Sequence, residues 1–234
     1  MARVQEVDVL SQLGLGVRLL QAQTHDNNGE LHFCHTSCEL FDGGTVQDYL
    51  TTVKQFLDAN PNEVITLLFT NPDALSLPDQ WEPAFVNSGI NDLAYVPPSL
   101  PVKQSDWPTL GDMIDSGKRV VVFLDAGANG VDGGIVNFIL PEFDMVGDLS
   151  TLCFIRLFLY SAKQVWETPF SVTNPSFPCS VDRITGDLPT VDHMYLINHS
   201  LNKEILPFDG GITVSDPEDA PTTNGVPSYV HLLE

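Results

Sequence analysis

Residues 17–38 constrain the fold of this chain more than any other stretch. They contain two apolar runs typical of β-strands, Val17 to Thr24 and Leu31 to Cys34. The cluster Asp26-Asn27-Asn28-Gly29 between them is rich in turn-forming residues. The sequence therefore predicts two consecutive strands joined by a turn.

Polar side chains collect at the ends of these two strands. Side chains two residues apart share one face of a strand, so three polar residues of the first strand should point the same way: Gln21, Gln23 and His25. His35 should share a face with Leu31 and Phe33 on the second strand. We therefore expect two histidines at the ends of neighbouring strands. Because imidazole exchanges protons near neutral pH, this pair suits phosphodiester cleavage, in which one proton is removed and another returned.

Five segments of the chain occur in a recognisable order. They are GVRLLQAQTHDNNGELHFCHTSC, DYLTTVKQFLDANPNEVITLLFTN, WPTLGDMIDSGKRVVVFLD, WETPF and YLINH. In this series the chain resembles the fungal branch of the phosphatidylinositol-specific phospholipase C X-domain family, the PLC-like phosphodiesterases. The resemblance runs from about Leu10 to about Thr223 with one interruption.

The resemblance implies an α/β fold, a distorted (β/α) TIM-type barrel with its active site at the C-terminal ends of the strands. It implies that His35 matches the second of two family histidines, which protonates the leaving group. Members begin with an earlier strand that ends in the general-base histidine, and nothing before Val17 supplies it. We therefore expect an incomplete barrel that lacks its first strand and its C-terminal end, with His25 as a supporting acid/base and His199 as a weaker substitute.

The phosphate site departs from the family pattern. Bacterial members place an arginine two residues after an acidic strand position, and animal members bind calcium there through Glu and Asp. Here the two positions are the neutral amides Gln21 and Gln23. An amide can donate a hydrogen bond to a phosphate oxygen but is a poor calcium ligand, so we expect chemistry without a cofactor and disfavour calcium. The alternation of the strand turns Arg18 away from both glutamines.

Other candidate residues follow predicted strands. Asn71 and Asp73 follow the buried run that ends at Thr70, although an Asn-Pro-Asp turn is as often only a loop. Asp125 ends the strand KRVVVFLD and could orient a histidine or bind substrate hydroxyls, and Asn198 ends MYLIN. A helix is predicted from Thr45 to Ala59. The aromatic residues of the proline-rich stretch 78–108 favour packing over lipid binding; they are Trp81, Phe85, Tyr95 and Trp107.

The four cysteines give mixed information about the compartment. Cys34 and Cys38 flank His35, and a disulfide between them would hold the loop that carries it. We favour this disulfide over two buried thiols because proteins of the family that this chain resembles are largely secreted. Zinc is disfavoured because no second ligand pair follows at usable spacing. Cys153 and Cys179 have no evident partner.

Residues 146–165 interrupt the resemblance, because members of that family pass from PEF through only a few residues to WETPF. The segment could be a membrane-touching insertion or an extra hairpin or helix. We favour a translated, unspliced intron, because the segment begins with Val-Gly and joins two family motifs without loss. A transcript that lacks codons 146–165 would support this hypothesis.

Composition is consistent with one barrel domain over residues 1–234. With 31 acidic and 10 basic residues the formal net charge is -21, which disfavours nucleic-acid binding and electrostatic membrane docking. No apolar run is long enough for a transmembrane helix, and the N-terminus lacks the apolar core of a signal peptide, although the resemblance implies an extracellular protein.

The sequence thus predicts a phosphoric diester hydrolase of the phospholipase C type. Its substrate would be a phospholipid or another phosphodiester, with Gln21, Gln23 and His25 at the phosphate. The alternative is a catalytically inactive barrel that acts as a secreted binding protein. A glycosidase barrel is a distant third, because no pair of carboxylates has clear motif support.

Overall fold

The computed structural model describes residues 7–128, 134–142, 165–169, 172–175, 180–182, 189–198, 201–204 and 213–219. The chain forms two compact units, Met1–Gln164 with Gly186–Asp192, and Val165–Thr185 with His193–Glu234. The prediction of one barrel domain stays a prediction. The predictions for Cys153, Cys179, His199 and residues 146–164 fall outside the described residues.

The first unit is built on a six-stranded sheet with the order β3-β2-β1-β4-β5-β6. Its strands are β1 (Leu19–Asn27), β2 (Glu30–Cys34), β3 (Asp42–Thr45), β4 (Ile65–Thr70), β5 (Val120–Leu124) and β6 (Ile139–Pro141). The four strands β1, β4, β5 and β6 run parallel, whereas β2 and β3 add antiparallel pairs at one edge. The α/β class is confirmed; the described strands form an open sheet and do not close a barrel.

The hairpin of β1 and β2 corrects the predicted strand boundaries. β1 continues to Asn27, beyond the predicted end at Thr24, and only two residues form the turn. These residues, Asn28 and Gly29, both have positive φ (58° and 90°), the backbone of a tight two-residue hairpin turn. His25 therefore lies inside β1 rather than at its end, while His35 directly follows β2.

In the described part of the first unit, four α-helices accompany the sheet: α1 (Val9–Gly14), α2 (Val46–Ala59), α3 (Glu82–Ser88) and α4 (Leu110–Ser116). The predicted helix after Thr45 is confirmed as α2, and the Thr45 side chain accepts a hydrogen bond from the Asp48 backbone N–H. The apolar stripe of α2 is fully buried in the core. This stripe consists of Val46, Leu50, Val53 and Leu57.

Alternation along the strands divides the sheet into two faces. On β1, Leu20 and Ala22 pack into the core that contains α2, together with Leu67 and Phe69 of β4. The odd-numbered β1 side chains, including Gln21, Gln23 and His25, lie on the opposite face by alternation. One face of the sheet thus packs against the helix layer, and the other face carries the polar candidate site residues.

The predicted packing role is confirmed for the two aromatic residues of this stretch that lie in the core. Trp81 and Phe85 are fully buried. Trp81 belongs to a π-helical turn, Leu77–Trp81, that leads into α3, and it stacks on Phe69 with ring centroids 5.9 Å apart. Tyr95 and Trp107 are half-buried, with ring centroids 5.7 Å apart.

The second unit contains two small sheets in its described part. In one, β7 (Val165–Glu167) runs parallel to β8 (Met194–Leu196), and in the other, β9 (Asn202–Glu204) runs antiparallel to β10 (Thr213–Ser215). Throughout the described ranges, every helix is too short or too polar to cross a bilayer.

Candidate active site

His35 lies on a short loop that a disulfide closes. β2 ends at Cys34, and the bond from Cys34 to Cys38 (S–S 2.04 Å) leaves three residues, His35 to Ser37, between the two cysteines. The His35 backbone N–H donates to the Phe41 carbonyl at 3.3 Å. The side chain is exposed, and its Nδ1 lies 3.4 Å from the Thr36 hydroxyl. The backbone of the loop is thus held from two sides while the imidazole faces solvent.

Gln23 links this loop to the parallel sheet. Its Oε1 accepts a hydrogen bond from the Thr36 backbone N–H at 2.8 Å. Thr36 has φ of 70°, a conformation that β-branched residues rarely adopt, so the surrounding contacts must hold it there. Because the amide oxygen faces Thr36, the Nε2 group of Gln23 is the part that can donate to a ligand. Gln21, two residues earlier, is exposed.

His25 is held by a carboxylate from the loop after β4. Its Nδ1 lies 3.0 Å from Oδ2 of Asp73, and the same oxygen accepts the Asp26 backbone N–H at 3.1 Å. The side chain of His25 is 16% exposed. Its Nε2 is buried and has no hydrogen-bond partner among the described residues. Asp73 therefore orients the imidazole, and the free nitrogen points away from solvent.

A second histidine–carboxylate pair, which sequence reasoning missed, lies opposite the first. His32 is the cross-strand partner of His25, and its Nδ1 lies 2.9 Å from Oδ1 and 3.0 Å from Oδ2 of Asp42. This hydrogen bond, followed by the one from the Gly44 N–H, lowers the pKa of Asp42. A signal was available, because a two-residue Asn-Gly turn places the third residue before it opposite the third residue after it.

Asn71 and Asp125 join the ends of β4 and β5. Asp125 Oδ1 accepts the Asn71 backbone N–H at 2.7 Å. The Asn71 side chain is 1% exposed; its Nδ2 donates to the carbonyls of Leu75 and Ala126, and its Oδ1 accepts the Leu75 N–H. The Asn71 side chain is therefore hydrogen-bonded to the loops beside the sheet edge. Asp125 lies half-buried at that edge.

Asn198 belongs to the second unit, two residues after β8. Its backbone N–H donates to the Thr168 hydroxyl at 2.8 Å, and its Nδ2 donates to the Thr168 carbonyl at 2.9 Å and contacts Glu167 Oε2 at 3.4 Å. Glu167 and Thr168 are each 3% exposed. Within its own unit, Asn198 thus connects the ends of the parallel strands β7 and β8.

The donor set at the two glutamines does not fit calcium, because neither side chain supplies a carboxylate. In the described part of the chain, no group of three or more His, Cys, Asp or Glu side chains is arranged to hold a metal ion.

Comparison with known proteins identifies the family. The PI-PLC X family model, described as PI-PLC X 1, matches residues 1–152 and 153–232. The chain belongs to the PI-PLC X family. The junction between the two matched parts falls inside the segment 146–165 that interrupts the motif series.

Curated relatives include two proteins of the fungus Arthroderma benhamiae. The PI-PLC X domain-containing protein 1 is 40% identical over 223 residues, and an uncharacterized secreted protein is 37% identical over 227 residues. These alignments cover 94% and 96% of this chain but only 64% and 46% of the relatives. A PI-PLC X domain-containing protein of Arabidopsis thaliana is 30% identical over 135 residues, covering 56% of this chain and 31% of the relative. No solved structure matches the chain.

Proposed function

We propose that this PI-PLC X chain is a phosphoric diester hydrolase of the phospholipase C type, in which His35 is the general acid. The observation that carries the proposal is the position of His35. Its imidazole is exposed on a loop that a disulfide closes and that a hydrogen bond joins to Gln23. We further propose that the described sheet is part of a distorted (β/α) barrel. Support comes from the carboxyl ends of β4 and β5 and of the parallel part of β1, where Asn71, Asp125 and Gln23 gather as site residues do in barrels.

In this mechanism a hydroxyl oxygen attacks phosphorus, the bond from phosphorus to the leaving alcohol oxygen breaks, and His35 gives that oxygen a proton. The Nε2 group of Gln23, with Gln21 beside it, donates hydrogen bonds to the non-bridging oxygens, where negative charge increases in the transition state. The attacking hydroxyl must lose a proton. We assign His25 a supporting acid/base role in accepting it, with Asp73 holding Nδ1. Because Nε2 of His25 is buried, that proton arrives through an intervening group.

The reaction is proposed to need no metal ion. Amide donors at Gln21 and Gln23 can bind phosphate oxygens directly but provide poor calcium coordination. We also propose an extracellular location. The disulfide beside His35 suits an oxidising compartment, and one fungal relative is named a secreted protein.

The test is hydrolysis of phosphatidylinositol by the purified chain, with and without a chelator. We expect activity that survives the chelator and falls by about 10²- to 10⁴-fold in His35→Gln, the range for loss of a general acid. His32→Gln is the matched control. It also removes an imidazole of this hairpin, but that imidazole faces Asp42 instead of solvent. Retention of full activity by a folded His35→Gln variant would exclude His35 as the acid.

A second function, a secreted binding protein without turnover, is favoured by the neutral phosphate site. Gln21 and Gln23 stand where bacterial and animal members of the resembled family have charged residues at the phosphate site. Under this alternative the folded chain hydrolyses nothing, and the wild type and the His35→Gln variant bind phosphatidylinositol vesicles equally well. The same two proteins therefore decide between the two functions.

A further inference from the structure

A cavity in the first unit lies apart from the candidate active site. It forms where the turn of the β1–β2 hairpin meets the start of α2, the π-helical turn Leu77–Trp81 and α3, and we call it the hairpin–helix cavity. Its volume is about 150 Å³. Because one water needs about 10–15 Å³, the cavity has room for roughly ten atoms of that size, about one sugar ring. The described residues that line it include none assigned to the proposed reaction.

The floor of the hairpin–helix cavity is apolar. Leu31 of β2 and Ala84 of α3 line it, and both are buried. Leu31 and Ala84 belong to the same core cluster as the apolar stripe of α2, so the packing of the core fixes this surface. Ligand pockets commonly combine such a surface with a few polar groups. The C–H face of a ligand ring can therefore pack on it.

Three polar side chains that line the cavity are each held through one end. Gln47 Oε1 accepts a hydrogen bond from Asn87 Nδ2 at 3.0 Å, which joins α2 to α3. Gln80 Oε1 accepts the Ser76 backbone N–H at 3.1 Å, and Asp79 Oδ2 accepts the Ser76 hydroxyl at 2.7 Å. In the described part of the chain, the Nε2 groups of the two glutamines and Oδ1 of Asp79 have no hydrogen-bond partner. Donors and an acceptor are thus oriented in advance, which lowers the entropy cost of binding a ligand.

This mixture of free donors and acceptors selects the chemical class of the ligand. Glu30 and Asp79 place two carboxylates at the cavity of a chain whose net charge is -21, so an anionic ligand is repelled. An ammonium or guanidinium group only donates hydrogen bonds and would leave Nε2 of Gln47 and Gln80 unmatched. A hydroxyl both donates and accepts. Neighbouring hydroxyls on one ring can therefore satisfy the carboxylate and the amides together.

We propose that the hairpin–helix cavity is a binding site for a neutral saccharide. One sugar ring lies with its C–H face on Leu31 and Ala84. Its hydroxyls donate to Oδ1 of Asp79 and accept from Nε2 of Gln47 and Gln80. The site holds the chain on glycans through contacts that are separate from the reaction at His35. The inference therefore does not rest on the proposed function.

The experiment measures equilibrium binding of three neutral sugars to the purified chain by NMR titration. The probes are methyl α-mannoside, methyl β-glucoside and N-acetylglucosamine, and we expect at least one to bind with a Kd of about 1 mM or lower. Asp79→Ala should weaken that binding about tenfold and Gln47→Ala about fivefold, because a hydrogen bond to a charged group contributes more than one between neutral groups. The matched controls Asp115→Ala and Gln55→Ala, at exposed positions of α4 and α2, should bind as the wild type does.

Agmatine and inorganic phosphate test the other ligand classes in the same titration. Tighter binding of either ion than of every sugar, weakened in Gln47→Ala, would overturn the inference. So would no binding of any of the three sugars, or equal sugar affinity in the wild type and the folded variants. If Asp79→Ala does not fold, Gln47→Ala, at an exposed position of α2, decides alone. Both variants should hydrolyse phosphatidylinositol at the wild-type rate, and sugar binding without any hydrolysis would remove the proposed function while supporting this inference.

Discussion

The carboxamide oxygen of Gln23 accepts the backbone N–H of Thr36 at 2.8 Å. This bond connects the end of the parallel part of β1 to the residue that follows His35, within the loop between Cys34 and Cys38. It has two consequences. The carboxamide is oriented with its N–H donors away from the loop, and the backbone of Thr36 is held in a conformation that threonine disfavours. Gln23 thus both supports the loop and supplies the donor proposed for the phosphate.

Gln23→Glu separates these two roles. A carboxylate can still accept the Thr36 N–H, so the thermal midpoint should change little. It provides no N–H donor and repels phosphate, so kcat/KM for phosphatidylinositol should fall by at least about 100-fold. Gln55→Glu adds the same charge at an exposed position of α2 and should retain activity. An active Gln23→Glu variant would show that Gln23 only supports the loop.

Removal of the disulfide should affect catalysis more than stability. For so short a loop, the chain-entropy estimate of the loss in the free energy of unfolding is about 2 kcal/mol. Without the bond the His35 loop samples many orientations, so kcat should fall by at least about tenfold. The measurement compares hydrolysis and urea unfolding of the wild type and the double variant Cys34→Ala, Cys38→Ala. Unchanged kcat in the folded double variant would contradict the proposed role of the loop.

Arg119 should be the most costly cation to remove among those described in the first unit. It is 8% exposed, and its Nη1 donates to three carbonyls, those of Leu57, Asn60 and Glu63, at the end of α2 and in the turn to β4. Arg119→Met leaves these acceptors without their donor, so the free energy of unfolding should fall by about 3 kcal/mol. Urea unfolding measures this change.

Lys54→Met is the control for that measurement. Lys54 forms an i,i+4 ion pair with Asp58 on the surface of α2, and such pairs contribute about 0.3–0.5 kcal/mol. Similar losses in the Lys54 and Arg119 variants would mean that the carbonyl contacts of Arg119 contribute little.

Asp42 should make the hairpin sensitive to acid. Its folded pKa lies below the ordinary value of 3.8, first because of the hydrogen bond with His32. A depressed folded pKa means that the contribution to stability is present above the unfolded pKa and is lost as pH falls through the folded value. The free energy of unfolding should therefore fall more steeply below about pH 4 in the wild type than in Asp42→Asn. Parallel pH profiles for the two proteins would exclude this contribution.

Local patterns predicted the elements well. Helix α2 begins and ends where its cap and apolar period indicate, and β4 and β5 lie within the predicted strands that end at Thr70 and Asp125. The first strand was predicted too short because Asp26 and Asn27 were assigned to the turn. Polar residues do form strands when a tight turn such as Asn28-Gly29 pairs them across a hairpin.

The sequence by itself determined the α/β class, the strand and helix positions of the first unit, and membership in the family, because each depends on short-range periodicity, caps and motif order. Tertiary structure alone decided which polar groups meet. His25 meets Asp73 across 48 positions, and Asn71 meets Asp125 across 54. The physical reason is that strand order and register follow from burying one apolar face of the sheet against α2. Side chains that are distant in sequence then lie close together on the other face of the sheet.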